Sequence, residues 1–186
     1  ARSSALLTGS GTALSDNPRL TIRLPTATAL PARQAGAPGV IPLRVVLDHH
    51  LRLPAGLNLF DHSAPTLVMH AASTPLPDQE CFADTEWQAV AESATGLDLK
   101  DVLQQLAVRK INELQIEAGA TLCGAWFAAG LVDELLLYIA PVLLGDQARP
   151  LLSLPALTDM SARWRLQTLD RRMLGEDLRL RLRPER

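Results

Sequence analysis

The chain has 186 residues, enough for one domain with a substantial core, since a domain of this size buries roughly 70% of the surface its unfolded chain exposes. Apolar residues make up 47% and charged residues 20%, and 18 Lys and Arg against 20 Asp and Glu leave a net charge of −2. That balance supplies neither the basic field of a nucleic-acid binder nor a polyacidic tail. Two cysteines, Cys81 and Cys123, are too few for a disulfide framework. The longest apolar run, Leu135 to Leu144, is too short to cross a bilayer. The start, Ala1-Arg2-Ser3-Ser4, lacks the pattern of a secretory signal. The expectation is one cytoplasmic domain with no membrane and no nucleic-acid partner.

In chain order, Ser4 to Thr8 reads as a short buried strand and Gly9-Ser10-Gly11-Thr12 as a flexible loop. Ser15-Asp16-Asn17-Pro18 is turn chemistry, because Asp and Asn bond local backbone and Pro forbids a central strand. Leu20 to Leu24 alternates as a brief strand. Pro25 to Pro42, rich in Pro, Ala and Gly, reads as a long surface loop. Leu43 to Asp48 and Thr66 to His70 are strands, and Trp87 to Glu92 is a further candidate. Leu99, Val102, Leu103 and Leu106 recur with helical spacing behind Asp98 as N-cap. Glu113 to Glu117 alternates as a strand. Leu122, Ala125, Trp126 and Ala129 repeat the helical spacing, with Gly130 as the residue just past the helix end. Leu135 to Ala140 suits a strand buried on both faces. Arg163 to Leu169 is a strand, and Leu178, Leu180 and Leu182 alternate with Arg179, Arg181 and Arg183, which predicts a strand with a wet, basic face. The β-α-β run from Glu113 to Ala140 predicts parallel pairing and the closing strands antiparallel pairing. The expected class is α/β, a mixed, mostly parallel sheet with flanking helices.

The strongest chemical signal lies where the strand ending at Glu117 meets Gly119 and a helix begins. Backbone N–H groups at a helix start, with the aligned dipole, favour an anion. Gly119 lets a ligand approach the backbone, and Thr121 adds a hydroxyl. Gly119 and Gly124 have P-loop spacing, but Ala125 and Trp126 stand where Lys and Ser or Thr must be, and the dinucleotide fingerprint fails at Thr121. Two readings of the glycines stay open on the residues alone: phosphate binding, or close packing of helix on sheet. Glu117 ends its strand where α/β sheets place ligands. His49, His50, His62, His70 and the cysteines show no metal-binding spacing, and no Gly-x-Ser-x-Gly elbow is present.

The segments Ser3 to Thr12, Asp16-Asn17-Pro18, Leu20-Thr21, Arg23, Pro42 to Asp48, Glu117 to Ala125, Ala129 to Leu135 and Tyr138 to Gly145 together resemble the reductase domain of the bacterial riboflavin-biosynthesis deaminase–reductase. The resemblance implies a dihydrofolate-reductase-like fold, NADPH as cofactor, and reduction of 5-amino-6-(5-phosphoribosylamino)uracil to the ribitylamino product. It places Thr12, Asp16, His49, Gly119, Ala120, Thr121, Leu122, Cys123, Gly124 and Ala125 at cofactor positions. His49 stands there in place of the usual Ser, and Ala120 in place of a more usual Pro. Leu20, Arg23 and Glu117 fall at substrate positions, with Arg23 on the phosphate. It assigns no catalytic residue and no metal, and it implies a homodimer. The family's first strand and helix, and the zinc deaminase domain before them, precede Ala1, so the chain is expected to be an N-terminally incomplete reductase domain. The alternatives are a catalytically silent dimerisation module and a dihydrofolate-type reductase with another pterin-like substrate.

Overall fold

The computed structural model describes residues 3–21, 41–82 and 84–185, in two compact units, Ala1–Gly119 and Ala120–Arg186. The first unit opens with strand β1 (Ala5–Gly9), which passes directly into helix α1 (Ser10–Asp16). The stretch from Gly9 to Thr12 is therefore a strand end and a helix start, and not a flexible loop. Gly9 is the extended N-cap, and burial of Ser10 and Ala13 outweighs the low helix propensity of a Ser-Gly-Thr start. Asn17 ends α1 in the left-handed region (φ 43°). Its side-chain oxygen accepts from Asn58 N (2.7 Å), and its carbonyl accepts from Asn58 Nδ2 (2.8 Å), so the turn chemistry of the sequence becomes a two-way clasp.

The other elements of this unit are β2 (Leu43–Leu47), β3 (Thr66–Ala71), β4 (Thr85–Val90), the two-residue strands β5 (Glu92–Ser93) and β6 (Gly96–Leu97), α2 (Leu99–Val108) and β7 (Leu114–Ile116). Leu20 and Thr21 lie outside any strand. The remainder of the expected strand to Leu24, with Arg23 and most of the Pro25 to Pro42 loop, falls outside the described residues. Asp98 caps α2 as expected, accepting from Lys100 N at 2.8 Å.

Five strands form one parallel sheet in the order β4-β3-β2-β1-β7. The register sets Leu7 beside Val45 and Val45 beside Leu67, so alternate residues line opposite faces. One face carries Leu6, Val46 and Val68, which join Ala13 of α1, Leu20, Leu53, Leu59, Phe60 and Phe82 in a single apolar cluster. Phe82 packs edge-on against both Phe60 and Trp87. The three inner strands β1, β2 and β3 are buried on both faces, which explains their near-continuous apolar runs.

The second unit contains α3 (Ala120–Ala128), β8 (Leu135–Ile139), β9 (Leu166–Leu174) and β10 (Asp177–Pro184). The buried side of α3 carries Gly124, Trp126 and Phe127; of the expected Leu122-Ala125-Trp126-Ala129 stripe, Trp126 is buried, Leu122 is half-buried, and Ala125 and Ala129 are exposed. Gly130 follows with φ +68°, as a helix-ending glycine should. The three strands form an antiparallel sheet ordered β8-β10-β9. Gly175 (φ +64°) and Glu176 make the two-residue turn between β9 and β10. The antiparallel strands thus form their own sheet, and β7 and β8 each pair elsewhere, with β1 and β10, rather than with each other.

Two expectations change here. β8 is an edge strand, paired only with β10 among the described residues, so Leu136, Tyr138 and Ile139 are exposed instead of buried on both faces. The arginines of β10 are also not simply solvated. Arg179 pairs with Asp170 of β9, and Arg181 and Arg183 share Glu134 at 3.6 and 3.4 Å. The Asp170 carboxyl is held below its ordinary range, chiefly by the hydrogen bond from Arg179.

Candidate functional site

A parallel sheet collects all its strand carboxyl ends at one edge. From β1 the chain builds outward through β2, β3 and β4, and then returns to place β7 on the other side of β1. The strand order reverses between β1 and β7, and in open α/β sheets ligands bind in the crevice outside the carboxyl ends at such a switch point. Glu117 N donates to Leu7 O (2.8 Å), continuing the β1–β7 ladder to that edge.

Within the first unit, several of the sequence-predicted residues follow the strand ends at this edge. Thr12, on the first turn of α1, accepts the Gly119 N–H on its Oγ1 at 3.0 Å. The Gly119 N–H is thus engaged by Thr12 rather than left open at the helix start. A Cβ built on Gly119 meets only Thr12 Oγ1, at 3.7 Å, so the glycine stands in open space. Gly124 differs. A Cβ there would lie 2.8 and 2.9 Å from the carbonyl carbon and nitrogen of Ser153, and closer still to the Ser153 oxygen. Ser153 N also donates to Ala120 O (3.0 Å). Of the two readings of these glycines, tight packing describes Gly124, and room beside the backbone describes Gly119. On α3, Thr121 and Ala125 are exposed, and Ala120, Leu122 and Cys123 are half-buried.

On the other predicted flank, Glu117 and Leu20 line one cavity of about 370 Å³ with Pro18, Arg19 and Thr21. Leu20 has φ +48°. A bulky residue in that region is a conformational outlier, and such strain concentrates at ligand sites. Gln115 Nε2 donates to Glu117 Oε1, which orients the carboxylate. Asp16 is exposed and accepts from Ser15 Oγ at 2.7 Å. Arg23 lies outside the described residues.

At the end of β2, His49 Nε2 sits 2.7 Å from Glu92 Oε1, and Ser73 Oγ donates to the other Glu92 oxygen (3.0 Å). The hydrogen bond to His49, then that from Ser73, holds the Glu92 carboxyl below its ordinary range. The His50 ring stacks on His49 with centroids 4.2 Å apart.

Sequence reasoning passed over Arg44. It is fully buried, and it donates to Thr66 Oγ1 (3.0 Å), Asp61 Oδ1 (2.9 Å), and the carbonyls of Arg19, Asn58 and Ala64. Through Arg19 it anchors the segment that lines the cavity. The available signal was phase: Arg44 occupies the same side of the sheet as Leu6 and Val46, where an unpaired charge is not tolerated.

The open five-stranded parallel sheet, with its order reversing between β1 and β7, places this chain among the mixed α/β proteins. Within that class the chain belongs to the RibD C-terminal domain family, whose model matches residues 1–180. It is 36% identical over 190 residues to the riboflavin biosynthesis protein RibD of Haemophilus influenzae, covering 100% of this chain and 49% of that protein. It is 33% identical over 175 residues to the 2,5-diamino-6-ribosylamino-4(3H)-pyrimidinone 5′-phosphate reductase of Methanothermobacter thermautotrophicus, covering 94% of this chain and 76% of that one. The RibD structure from Acinetobacter baumannii superposes with a TM-score of 0.81 at 31% identity, over 98% of this chain and 47% of that one. The chain spans about half the length of the RibD proteins it matches. Among the described residues no helix is long and apolar enough to cross a membrane.

Proposed function

We propose that this chain is an NADPH-dependent reductase of riboflavin biosynthesis, acting on 5-amino-6-(5-phosphoribosylamino)uracil. The observation that carries the reading is the switch-point edge itself. There Thr12 and Gly119 are joined by a hydrogen bond, and Glu117 faces a cavity walled by Leu20. The residues present fit a dinucleotide: Gly119 leaves room against the backbone, and Arg52, near the ends of β1 and β2, has no carboxylate partner among the described residues. The cofactor supplies a hydride when bound.

This chain's residues do the positioning. Thr12, Asp16, His49 and residues 119–125 hold the cofactor, with Gly119 permitting the close approach. Leu20 and Glu117 seat the pyrimidine, and Arg23 takes the substrate phosphate as a bidentate partner. Reduction turns a ring-opened imine into the ribitylamine: the imine carbon gains the hydride and the nitrogen gains a proton. The exposed apolar side chains of β8 and of Val142, Leu143 and Leu144 support the further proposal of a homodimer.

Gly119→Val tests the cofactor part. A Cβ fits, but the two methyl groups of valine crowd the space beside Thr12. Cofactor affinity should fall at least tenfold, about 1.4 kcal/mol, with the fold retained. Titration of NADPH fluorescence gives the affinity, and an unchanged value in folded Gly119→Val removes Gly119 from the site.

A further inference from the structure

The cavity at Glu117 is walled by a bend, Pro18 to Thr21, that local chemistry does not hold by itself. Two residues other than glycine take the left-handed region here, Asn17 (φ 43°) and Leu20 (φ 48°), with Pro18 and Arg19 between them. Asparagine tolerates that region because its short polar side chain bonds locally, and leucine has no such means. A bend of this kind persists where its surroundings over-determine it.

Those surroundings come from the turn at Asn58, 41 residues along the chain. Asn58 spends both its donors on Asn17: its backbone N–H donates to Asn17 Oδ1 (2.7 Å) and its Nδ2 donates to Asn17 O (2.8 Å). Asn58 is itself anchored. The next two residues, Leu59 and Phe60, are buried in the apolar cluster that also takes Leu20. Arg44 Nη1 donates to both Asn58 O (3.2 Å) and Arg19 O (3.4 Å), so one nitrogen ties the turn to the bend a second time. The clasp adds little to the core, since Asn17 is exposed and Asn58 is half-buried, and hydrogen bonds in such places exchange with water at small net cost. What it fixes is position, because the four cavity-lining residues of the bend follow Asn17 directly. Glu117, which completes the lining, is held separately, through its N–H by the Leu7 carbonyl and through its carboxylate by Gln115.

We propose that Asn58 is a positioning residue of the substrate pocket. It does not line the cavity; by clasping Asn17 it holds Leu20 at the spacing from Glu117 that a pyrimidine ring requires. The proposal rests on the reading above in which Leu20 and Glu117 seat the pyrimidine, and it adds a residue outside the cavity on which that seat depends.

The test titrates the whole chain with 5-amino-6-(5-phosphoribosylamino)uracil by calorimetry without cofactor, beside NADPH titrations, thermal melts, steady-state kinetics and hydrogen exchange. Asn58→Ala keeps the backbone donor and deletes the Nδ2 donor. Its affinity for the pyrimidine should fall about tenfold, and KM should rise accordingly while kcat stays within about twofold. NADPH affinity and melting temperature should match the parent's, and the backbone amides of residues 17–21 should exchange faster. Asn17→Gly, in which glycine accepts the left-handed backbone, should also weaken pyrimidine binding. The double variant should bind no more weakly than the poorer single one, as two halves of one contact do. Unchanged pyrimidine affinity in Asn58→Ala, an equal loss of pyrimidine and NADPH affinity, additive losses in the double variant, or no pyrimidine binding by the unaltered chain overturns the proposal. An Asn58-dependent pyrimidine affinity in a chain that transfers no hydride leaves the positioning role standing and removes the reductase reading. Hydride transfer with a pyrimidine affinity indifferent to Asn58 does the reverse.

Discussion

Arg44→Met should cost about 3 kcal/mol or more of folding stability, near the range seen when one partner of a buried ion pair is removed. The methionine fills much of the volume but makes none of the hydrogen bonds. The Ala64 carbonyl loses its shortest donor and Thr66 Oγ1, which still donates to the Leu59 carbonyl, loses the donor it accepts from; an acceptor left unsatisfied in this buried setting costs roughly 1–3 kcal/mol. Asp61, a quarter exposed, recovers part of its solvation and is the smaller part of the loss. Urea unfolding at neutral pH measures the difference, and a change under 1 kcal/mol would show that water replaces Arg44 at these acceptors. The same network sets an acid limit. Hydrogen bonds from Ser63, and then from Arg44, hold the Asp61 carboxyl well below the usual carboxylate range. Its folded pKa lies below its unfolded one. The stability it confers is therefore complete above the ordinary carboxylate value of about 4, and is lost as pH falls from there toward the folded value. Because Ser63 is the larger cause, Arg44→Met should weaken this acid dependence without abolishing it.

Gly124→Val should destabilise the second unit clearly. The added Cβ alone falls within 3 Å of three backbone atoms of Ser153, and backbone cannot rotate aside as a side chain can. Overpacking of this kind costs about 1–3 kcal/mol and occasionally more, and the branched methyls place valine at the upper end. The loss should appear in thermal melts with no dinucleotide present. Gly119→Val, five residues earlier, should melt with the parent and lose cofactor affinity. That contrast separates a packing glycine from a glycine that makes room for a ligand.

The same contrast shows what the sequence could carry. Apolar runs and alternation identify β1, β2, β3, β7 and β10, because burial on both faces or on one face leaves a period that residue types reveal directly. Asp98 and Gly130 mark helix boundaries through local chemistry alone. Helix α1 was not legible, since Ser10, Gly11 and Thr12 are poor helix formers and what fixes them is burial against the sheet. The two glycines were indistinguishable in sequence because their difference lies in Ser153, far along the chain. Leu20 was placed by resemblance, Glu117 by its strand-end position and then by resemblance, and their shared cavity is long-range geometry. Arg44 and Arg52 went unremarked for opposite reasons. Arg44 needed the strand phase to reveal its burial, and Arg52 needed the fold to bring it to Ser10.

The most direct test of the central claim is hydride transfer by the chain itself. The chain should be mixed with NADPH and 5-amino-6-(5-phosphoribosylamino)uracil, and absorbance followed alongside the mass of the product. NADPH should be consumed one for one with substrate, giving a ribitylamino product with two more hydrogens, and Glu117→Gln should slow the conversion with NADPH affinity unchanged. A chain that binds both NADPH and the substrate but transfers no hydride would contradict the account.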